Sequence, residues 1–195
     1  MSQRIYLLLL LALLSACSGL PKPGAQPALY DFGMIANTNM NNPDTIRIRL
    51  GHVEASPGLD GHEMRYRLAY QDPARVFAYN ESRWAILPAD LIAQRVQNRW
   101  APSSDAKCSL NITLNIFDQV FDSPGSSRGV VQLRAELVNG NGHNSPRIST
   151  VITVEKTSAS ADAKGGVAAL TSATDEAITK LKTWVDAQQC GQPTS

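Results

Sequence analysis

The sequence is poor in charge of either sign and has no cluster of basic residues. Charged side chains make up 18% of the 195 residues, and the formal net charge is +1. No run of Lys or Arg occurs, so the chain lacks the basic patch that a nucleic-acid-binding surface requires. With 43% hydrophobic and 6% aromatic residues, the composition excludes a disordered chain and indicates an ordinary globular body of one domain, or at most two.

Motifs of enzymes and of metal sites are also missing. The segment His62–Tyr66 begins like the helix of a zinc protease, but Tyr66 stands where the second His is needed. There is no G-x-S-x-G elbow, and Gly140–Gly142 lacks the third Gly of a dinucleotide-binding loop. The carboxylates are scattered, and we expect Asp118 and Asp122 to form no more than a local surface pair. We therefore predict no catalytic site, no metal site and no cofactor.

Only one long hydrophobic run is present, and it lies at the start of the chain. Ile5–Leu14 is an unbroken apolar segment of ten residues that follows the positive charge of Arg4. As a helix it would extend about 15 Å, half of the hydrocarbon core of a membrane, so it is too short to span one. A short apolar run with a positive flank and small residues behind it is typical of a secretory signal peptide, which we place at residues 1–16.

The cleavage region carries a more specific motif. Leu14-Ser15-Ala16-Cys17 resembles the bacterial lipobox, in which the Cys thiol accepts a diacylglyceryl group and cleavage follows just before it. By the same resemblance, Ser18 rather than Asp after the Cys points to the outer membrane. Removal of the signal leaves 17 basic against 17 acidic residues, so attachment to the membrane must come from acyl chains on Cys17.

Two further cysteines remain after Cys17 is assigned. Export places Cys108 and Cys190 in an oxidising compartment, where two leftover thiols usually pair. A disulfide between them would tie the start of a strand to the end of the last helix. For a loop of this length the entropy model gives roughly 4.5 kcal/mol of stabilisation, and typical measured values are about 2–4 kcal/mol. The alternative is two separate buried thiols.

The remaining chain alternates in hydrophobicity over several segments, which predicts strands. Residues 17–28 are rich in Pro and Gly and are predicted as a flexible linker, followed by one domain over residues 29–195. Short strands are predicted at residues 30–32, 46–50 and 64–70, and residues 76–86 are predicted as a hairpin that turns at Asn80-Glu81-Ser82. Three long strands with short connections follow, centred on residues 110–116, 131–137 and 148–154, and predict an antiparallel meander with one polar face.

Two helices complete the predicted fold. Pro88 suits the first turn of a helix that runs to about Trp100, and its Arg95 and Arg99 lie close to the apolar face, where we expect them to extend towards solvent. The second helix runs from about Asp162 to Gln188, with apolar residues at helical spacing. The predicted fold class is α+β: a single domain with a mostly antiparallel sheet, one shorter helix and one long C-terminal helix packed on it.

The order of several short motifs resembles a known family. The motifs are Tyr30-Asp31-Phe32-Gly33, Leu59-Asp60-Gly61, Met64-Arg65-Tyr66-Arg67, Tyr79-Asn80, Arg83-Trp84-Ala85, Pro88-Ala89-Asp90-Leu91-Ile92 and Phe117-Asp118-Gln119-Val120-Phe121-Asp122. In this order, behind a lipobox, they resemble the ABC-type transport auxiliary lipoprotein family, the PqiC-like lipoproteins. The resemblance implies a periplasmic lipoprotein on the outer membrane that serves an MCE-domain protein and inner-membrane transport components, in a system that moves lipids or other hydrophobic molecules between membranes.

Three functions are therefore considered. The first is a non-enzymatic auxiliary lipoprotein that docks a lipid-transport assembly, with contacts at a sheet edge and on the exposed part of the last helix. The second is a structural or assembly lipoprotein of the envelope, for lipopolysaccharide or an envelope complex. The third, a tethered hydrolase, lacks a nucleophile constellation. The family supplies no catalytic residues; Arg83 and Trp84 either pack within a strand or form a recognition surface.

Overall fold

A computed structural model describes residues 26–34, 44–46, 48–102, 106–140 and 147–188. The elements in these residues are β1 (Ala28–Tyr30), β2 (Asp44–Ile46), β3 (Ile48–Ala55), β4 (Glu63–Leu68), β5 (Phe77–Trp84), α1 (Pro88–Arg99), β6 (Trp100–Pro102), β7 (Cys108–Ser123), β8 (Ser126–Asn139), β9 (Arg147–Thr157) and α2 (Ala163–Ala187). The predicted α+β class is confirmed, with a mixed seven-stranded sheet, a two-stranded sheet formed by β2 and β6, a shorter helix and a long C-terminal helix.

The sheet is organised around β7, which is 16 residues long and has neighbours on both of its edges. β8 pairs antiparallel along one edge, and β9 continues the sheet beyond β8. On the other edge β3 pairs with the first half of β7 and β4 with the second half, both in parallel. The order β1-β5-β4-β7-β8-β9 therefore places β1 and β9 at opposite edges of the sheet.

The predicted meander of three long strands is confirmed in β7, β8 and β9. Alternate residues of each strand are buried on the face that the helices cover, among them Leu110, Ile112, Leu133, Ile152 and Val154. The opposite face carries mostly polar side chains, because successive residues of a strand point to opposite faces. Local alternation was sufficient to predict this part of the fold, since both connections are short.

The predicted hairpin at Asn80-Glu81-Ser82 is wrong. These residues lie inside the continuous strand β5, which runs between β4 and β1. The pairing of β4 with β5 shifts there, because Glu63 faces Arg83 whereas Arg65 already faces Ala78. The polar residues that resemble a turn occupy this irregularity, and Ser82 pairs in parallel with Ala28 of β1. Long-range pairing has overridden a local turn signal.

Both helices pack on the same face of the sheet. α2 lies on β8 and β9, and α1 lies on β3. α2 begins where the Asp162 carboxylate accepts a hydrogen bond of 2.7 Å from the Gly165 amide, as an N-cap residue does. α1 ends at Arg99, within one residue of the predicted end, and Trp100 begins β6. No helix in the described residues is both long enough and apolar enough to cross a membrane.

Gly129 of β8 marks a close approach between the sheet and the backbone of α2. A Cβ atom built at Gly129 would lie 2.7 Å from the Leu170 amide nitrogen and 2.8 Å from the Ala169 carbonyl carbon. These are backbone atoms of α2, so the contact can be relieved only by moving the helix.

We expect Gly129→Ala to lower the free energy of unfolding by about 1–3 kcal/mol, as overpacking does. Gly125→Ala is the matched control, because no atom lies within 4 Å of a Cβ built there, and it should change stability by less than about 0.5 kcal/mol. Urea unfolding of both variants measures the difference. Equal stability of the two would contradict the close packing of α2 on β8.

Candidate functional site

The residues predicted to be modified or cross-linked are only partly within the described structure. Cys17 and Cys190 lie outside the described residues. Cys108 begins β7, has no exposed surface and is disulfide-bonded. The assignment of Cys190 as its partner stays a prediction, as does acylation of Cys17.

Peptide mapping under non-reducing conditions tests the pairing. We expect a linked pair of peptides that contain Cys108 and Cys190, and no labelling of either thiol in protein isolated from the periplasm. Cys190→Ala should then lower the free energy of unfolding by about 2–4 kcal/mol in non-reducing buffer. In reducing buffer the same substitution should have little effect. Labelling of both thiols in the native, unreduced protein would reject the Cys108–Cys190 bridge.

Asp118 is buried, and the predicted surface pair of Asp118 with Asp122 is wrong. The Asp118 side chain is 1% exposed, whereas that of Asp122 is 49% exposed and pairs with Arg128. Arg67 Nε donates to Asp118 Oδ2 over 2.7 Å, and Arg65 Nε lies 3.0 Å from Oδ1 in an ionic contact that is not aligned as a hydrogen bond. Because Arg67 also donates to the Pro73 carbonyl over 3.1 Å, this cluster joins β4, β7 and the connection after β4.

Trp84 does not form a recognition surface with Arg83. Its side chain is 1% exposed, and its ring packs against Phe117 with centroids 5.2 Å apart. Phe32, which follows β1, adds an edge contact to Trp84 at 6.1 Å and lies 6.2 Å from Phe117. Arg83 donates to the carbonyl oxygens of Tyr79 and Ser82 within its own strand. Of the two interpretations of this pair, the structure therefore supports packing within the strand.

A buried polar network centred on Gln119 was not predicted from the sequence. Gln119 Nε2 donates to Ser127 Oγ over 2.8 Å and to the Asp162 carbonyl over 3.1 Å, and Oε1 accepts from the Tyr79 hydroxyl over 2.9 Å. Burial, reinforced by Tyr66 and Asp162, raises the pKa of Tyr79 to about 12, so its hydroxyl is protonated. The network joins β5, β7, β8 and the start of α2. A sequence signal existed in Gly165-Gly166, because a Cβ at Gly166 would lie 2.1 Å from Gln119 Oε1.

A second cluster joins the two helices. Arg95 of α1 binds Asp175 of α2 through two hydrogen bonds of 2.6 Å, which raise the pKa of Arg95. Arg99 donates to the Asp175 backbone carbonyl over 2.9 Å. The sequence placed both arginines near the apolar face of α1 but did not reveal their common partner, 76 or more residues away. These contacts fix the distance between α1 and α2 rather than leaving the guanidinium groups in solvent.

The histidines within the described residues do not converge on a common site. His62 Nδ1 lies 2.9 Å from the Trp84 carbonyl oxygen, within hydrogen-bond distance. In the ranges that the structure describes, no group of three or more His, Cys, Asp or Glu side chains could hold a metal ion. The clusters around Asp118, Gln119 and Asp175 hold secondary-structure elements together, and their polar groups are directed at one another.

A groove of about 600 Å³ lies between residues 29–33 and α2. Its apolar walls come from Leu29, Tyr30, Phe32, Val167 and Ala168. The polar lining consists of Asp31, Lys164, Thr171, Ser172 and Asp175. The groove opens to solvent where the chain enters the fold, and it is bounded on one side by the exposed residue Leu29.

Exposed large hydrophobic side chains in the described residues occur as three pairs. Leu29 (68% exposed), which lines the groove, and Met34 (100%), which lies five residues further along the chain, form what we call the β1 surface. Ile148 (43%) and Val151 (56%) lie on the edge strand β9 and form the β9 surface. The third pair, Tyr70 and Val76, lies between β4 and β5. Apolar residues grouped at an edge are candidate contacts for a partner or a membrane.

Comparison with known proteins identifies the fold. No profile of a known protein family matches the sequence, and no curated protein matches it. A crystal structure of a Xanthomonas campestris protein of the DUF330 family superimposes with a TM-score of 0.66, at 18% identity, over 83% of this chain and 98% of that one. A second crystal structure, described only as an uncharacterized protein, gives a TM-score of 0.60 at 13% identity over 82% and 99% of the two chains. The chain therefore has the fold of a DUF330 protein.

Proposed function

We propose that this protein is a non-enzymatic outer-membrane lipoprotein that serves as the auxiliary component of an ABC/MCE-type lipid transport system. In this role it is anchored through Cys17 and docks an MCE-domain periplasmic protein, and through it the inner-membrane components, at the outer membrane. The observation that carries the proposal is the likeness of the whole folded body to a DUF330 structure, because DUF330 is the domain name of the PqiC-like lipoproteins that the sequence resembles.

The packing of the body supports a docking role rather than a chemical one. The side chains that could suggest a reactive centre are engaged in holding strands and helices together, as Asp118 and Asp175 show. An acyl anchor keeps a binder at the membrane at high effective concentration, so even a modest interface is occupied. The MCE-domain partner follows from the family resemblance.

The β9 surface is the docking surface that fits this role. In the described residues β9 pairs only with β8, so its outer edge presents unpaired backbone groups over 11 residues. Ile148 and Val151 are an odd number of residues apart and project to opposite faces of the strand. A partner strand added to this edge would contact both side chains while pairing with the backbone.

Lys180 and Lys182 of α2 are less suited to binding a partner. Lys180 pairs with Glu176 over 2.9 Å, and Lys182 pairs with Asp186 over 2.7 Å. Reversal of these lysine charges would place like charges beside each other within the helix, which would weaken α2 as well as any contact. The β9 surface therefore offers the cleaner test.

The test is co-purification from gently solubilised envelopes, with mass spectrometry of the captured proteins and lipid analysis of the eluate. We expect an MCE-domain protein with the unchanged chain, and about a tenfold or greater loss of it with Ile148→Asp plus Val151→Asp. The matched control is Tyr70→Asp plus Val76→Asp, since these two side chains have similar exposure elsewhere on the body. Capture of a lipopolysaccharide or envelope-assembly protein in place of transport components would contradict the proposal and favour a structural lipoprotein.

A further inference from the structure

The β1 surface is the most exposed apolar part of the described chain. Met34 is fully exposed and Leu29 is 68% exposed, more than any other large hydrophobic side chain in these residues. Two such side chains five residues apart in sequence represent apolar area that is normally covered.

These side chains belong to a segment that is held firmly to the body. β1 pairs with β5, and the Ala85 amide donates to the Tyr30 carbonyl over 2.7 Å. The Phe32 ring packs against Trp84 and Phe117. Leu29 and Met34 therefore lie on either side of residues that are bound to the sheet, and this fixes where the two exposed side chains sit on the molecular surface.

The length of chain before β1 limits how far this surface can be from the membrane. Eight residues, 18–25, lie between Cys17 and Gln26, and at full extension the segment reaches about 30 Å. A body of this size has a diameter of about 40 Å, estimated as somewhat over twice its radius of gyration. The β1 end of the body thus stays close to an anchor at Cys17, whereas β9 lies five strand positions away, roughly 24 Å.

We infer that the β1 surface rests on the lipid bilayer and that Leu29 and Met34 insert into its interfacial region. This inference rests on the acylation of Cys17 included in the proposed function. The charged residues that line the groove with Leu29 are of both signs, Asp31 and Lys164, so the contact depends on apolar burial and not on anionic lipid. The contact orients the body, with the groove towards the membrane and the β9 surface towards the periplasm.

The experiment uses the lipid-anchored protein in phosphatidylcholine vesicles that contain a nitroxide-labelled lipid. A fluorophore is attached at Met34→Cys and, as the matched control, at Val151→Cys on the opposite edge. We expect the nitroxide to quench the fluorophore at position 34 several-fold more strongly than at position 151. Leu29→Asp in the Met34→Cys background should reduce that quenching to the level of position 151, and added anionic lipid should leave it unchanged.

Equal quenching at both positions, or quenching at position 34 that survives Leu29→Asp, overturns the inference. The mass of the N-terminal peptide, measured on the same samples, separates this failure from that of the proposed function. An acylated Cys17 with equal quenching overturns the membrane contact alone. An unmodified Cys17 rejects the predicted acylation, and with it the membrane contact, which was inferred from the length of chain between Cys17 and β1.

Discussion

Replacement of Asp118 by Ala should lower the free energy of unfolding by about 3 kcal/mol or more, the largest loss of stability that we expect from a single charge. The Asp118 carboxylate is 1% exposed and is the counter-charge of Arg65 and Arg67, whose side chains are 18% and 27% exposed. Its removal leaves two partly buried guanidinium groups side by side on one face of β4 without their counter-charge. Urea unfolding at neutral pH measures the effect.

Asp122→Ala is the control for this substitution, because it removes the same charge from the same strand four residues later. The Asp122 side chain is 49% exposed, and its partner Arg128 also binds Glu155 over 2.9 Å. An exposed pair of this kind contributes about 0–1 kcal/mol. A loss of stability as large for Asp122→Ala as for Asp118→Ala would show that the Asp118 cluster does not hold β4 to β7.

Cys17→Ala should abolish acylation completely and remove the protein from the outer-membrane fraction. Without the thiol there is no atom to accept the diacylglyceryl group, and each buried CH₂ of such chains is worth about 0.8 kcal/mol of membrane affinity. The neutral charge of the mature body offers no electrostatic substitute. Intact-mass spectrometry of the N-terminal peptide, together with membrane fractionation, measures both effects.

Ser15→Ala is the matched control for the lipobox, since it keeps a small residue before the cleavage position. We expect normal acylation and normal fractionation for this variant. The interpretation of residues 14–17 as a lipobox is wrong if mature wild-type protein carries an intact, unmodified Cys17.

The parts of the fold that could be predicted are those encoded in local periodicity. β7, β8 and β9 alternate over long stretches with short connections, so their antiparallel order follows from the sequence. α2 was predicted to within one residue at each end, because its apolar stripe is long and Asp162 caps it. The parallel pairing of β3 and β4 with β7 has no such signal, because alternation shows that a strand exists but does not identify its partner.

The buried polar clusters could not be predicted for the same reason. Asp118 lies in a run of buried residues, Phe117–Phe121, which follows a register shift between Leu114 and Ile116 that breaks the alternation of β7. Arg65 and Arg67, which contact its carboxylate, are more than 50 residues away in sequence. The partners of Gln119 and Arg95 are likewise supplied by distant elements. Polar residues of a strand or helix can be assigned to the interior only when the neighbouring element is known.

The sequence predicted the type of the candidate functional surfaces, but not which residues or strands form them. The predicted lipobox is a local motif that needs no knowledge of the fold, and it stays a prediction. A sheet edge was expected to bind the partner, and the structure identifies β9 as an edge with exposed apolar residues. The exposure of Leu29 and Met34 had no sequence signal, because apolar residues beside a linker look the same whether they are buried or not.

Site-specific photo-crosslinking in intact envelopes tests the docking role most directly. A photoreactive amino acid is introduced at Val151 on the β9 surface and, for comparison, at Leu29 on the β1 surface of the anchored protein. We expect the probe at position 151 to capture an MCE-domain protein or another transport component, and the probe at position 29 to capture neither. If no transport component is captured from β9, while the purified body turns over an ester or glycan substrate, the docking account is contradicted and the protein is an enzyme.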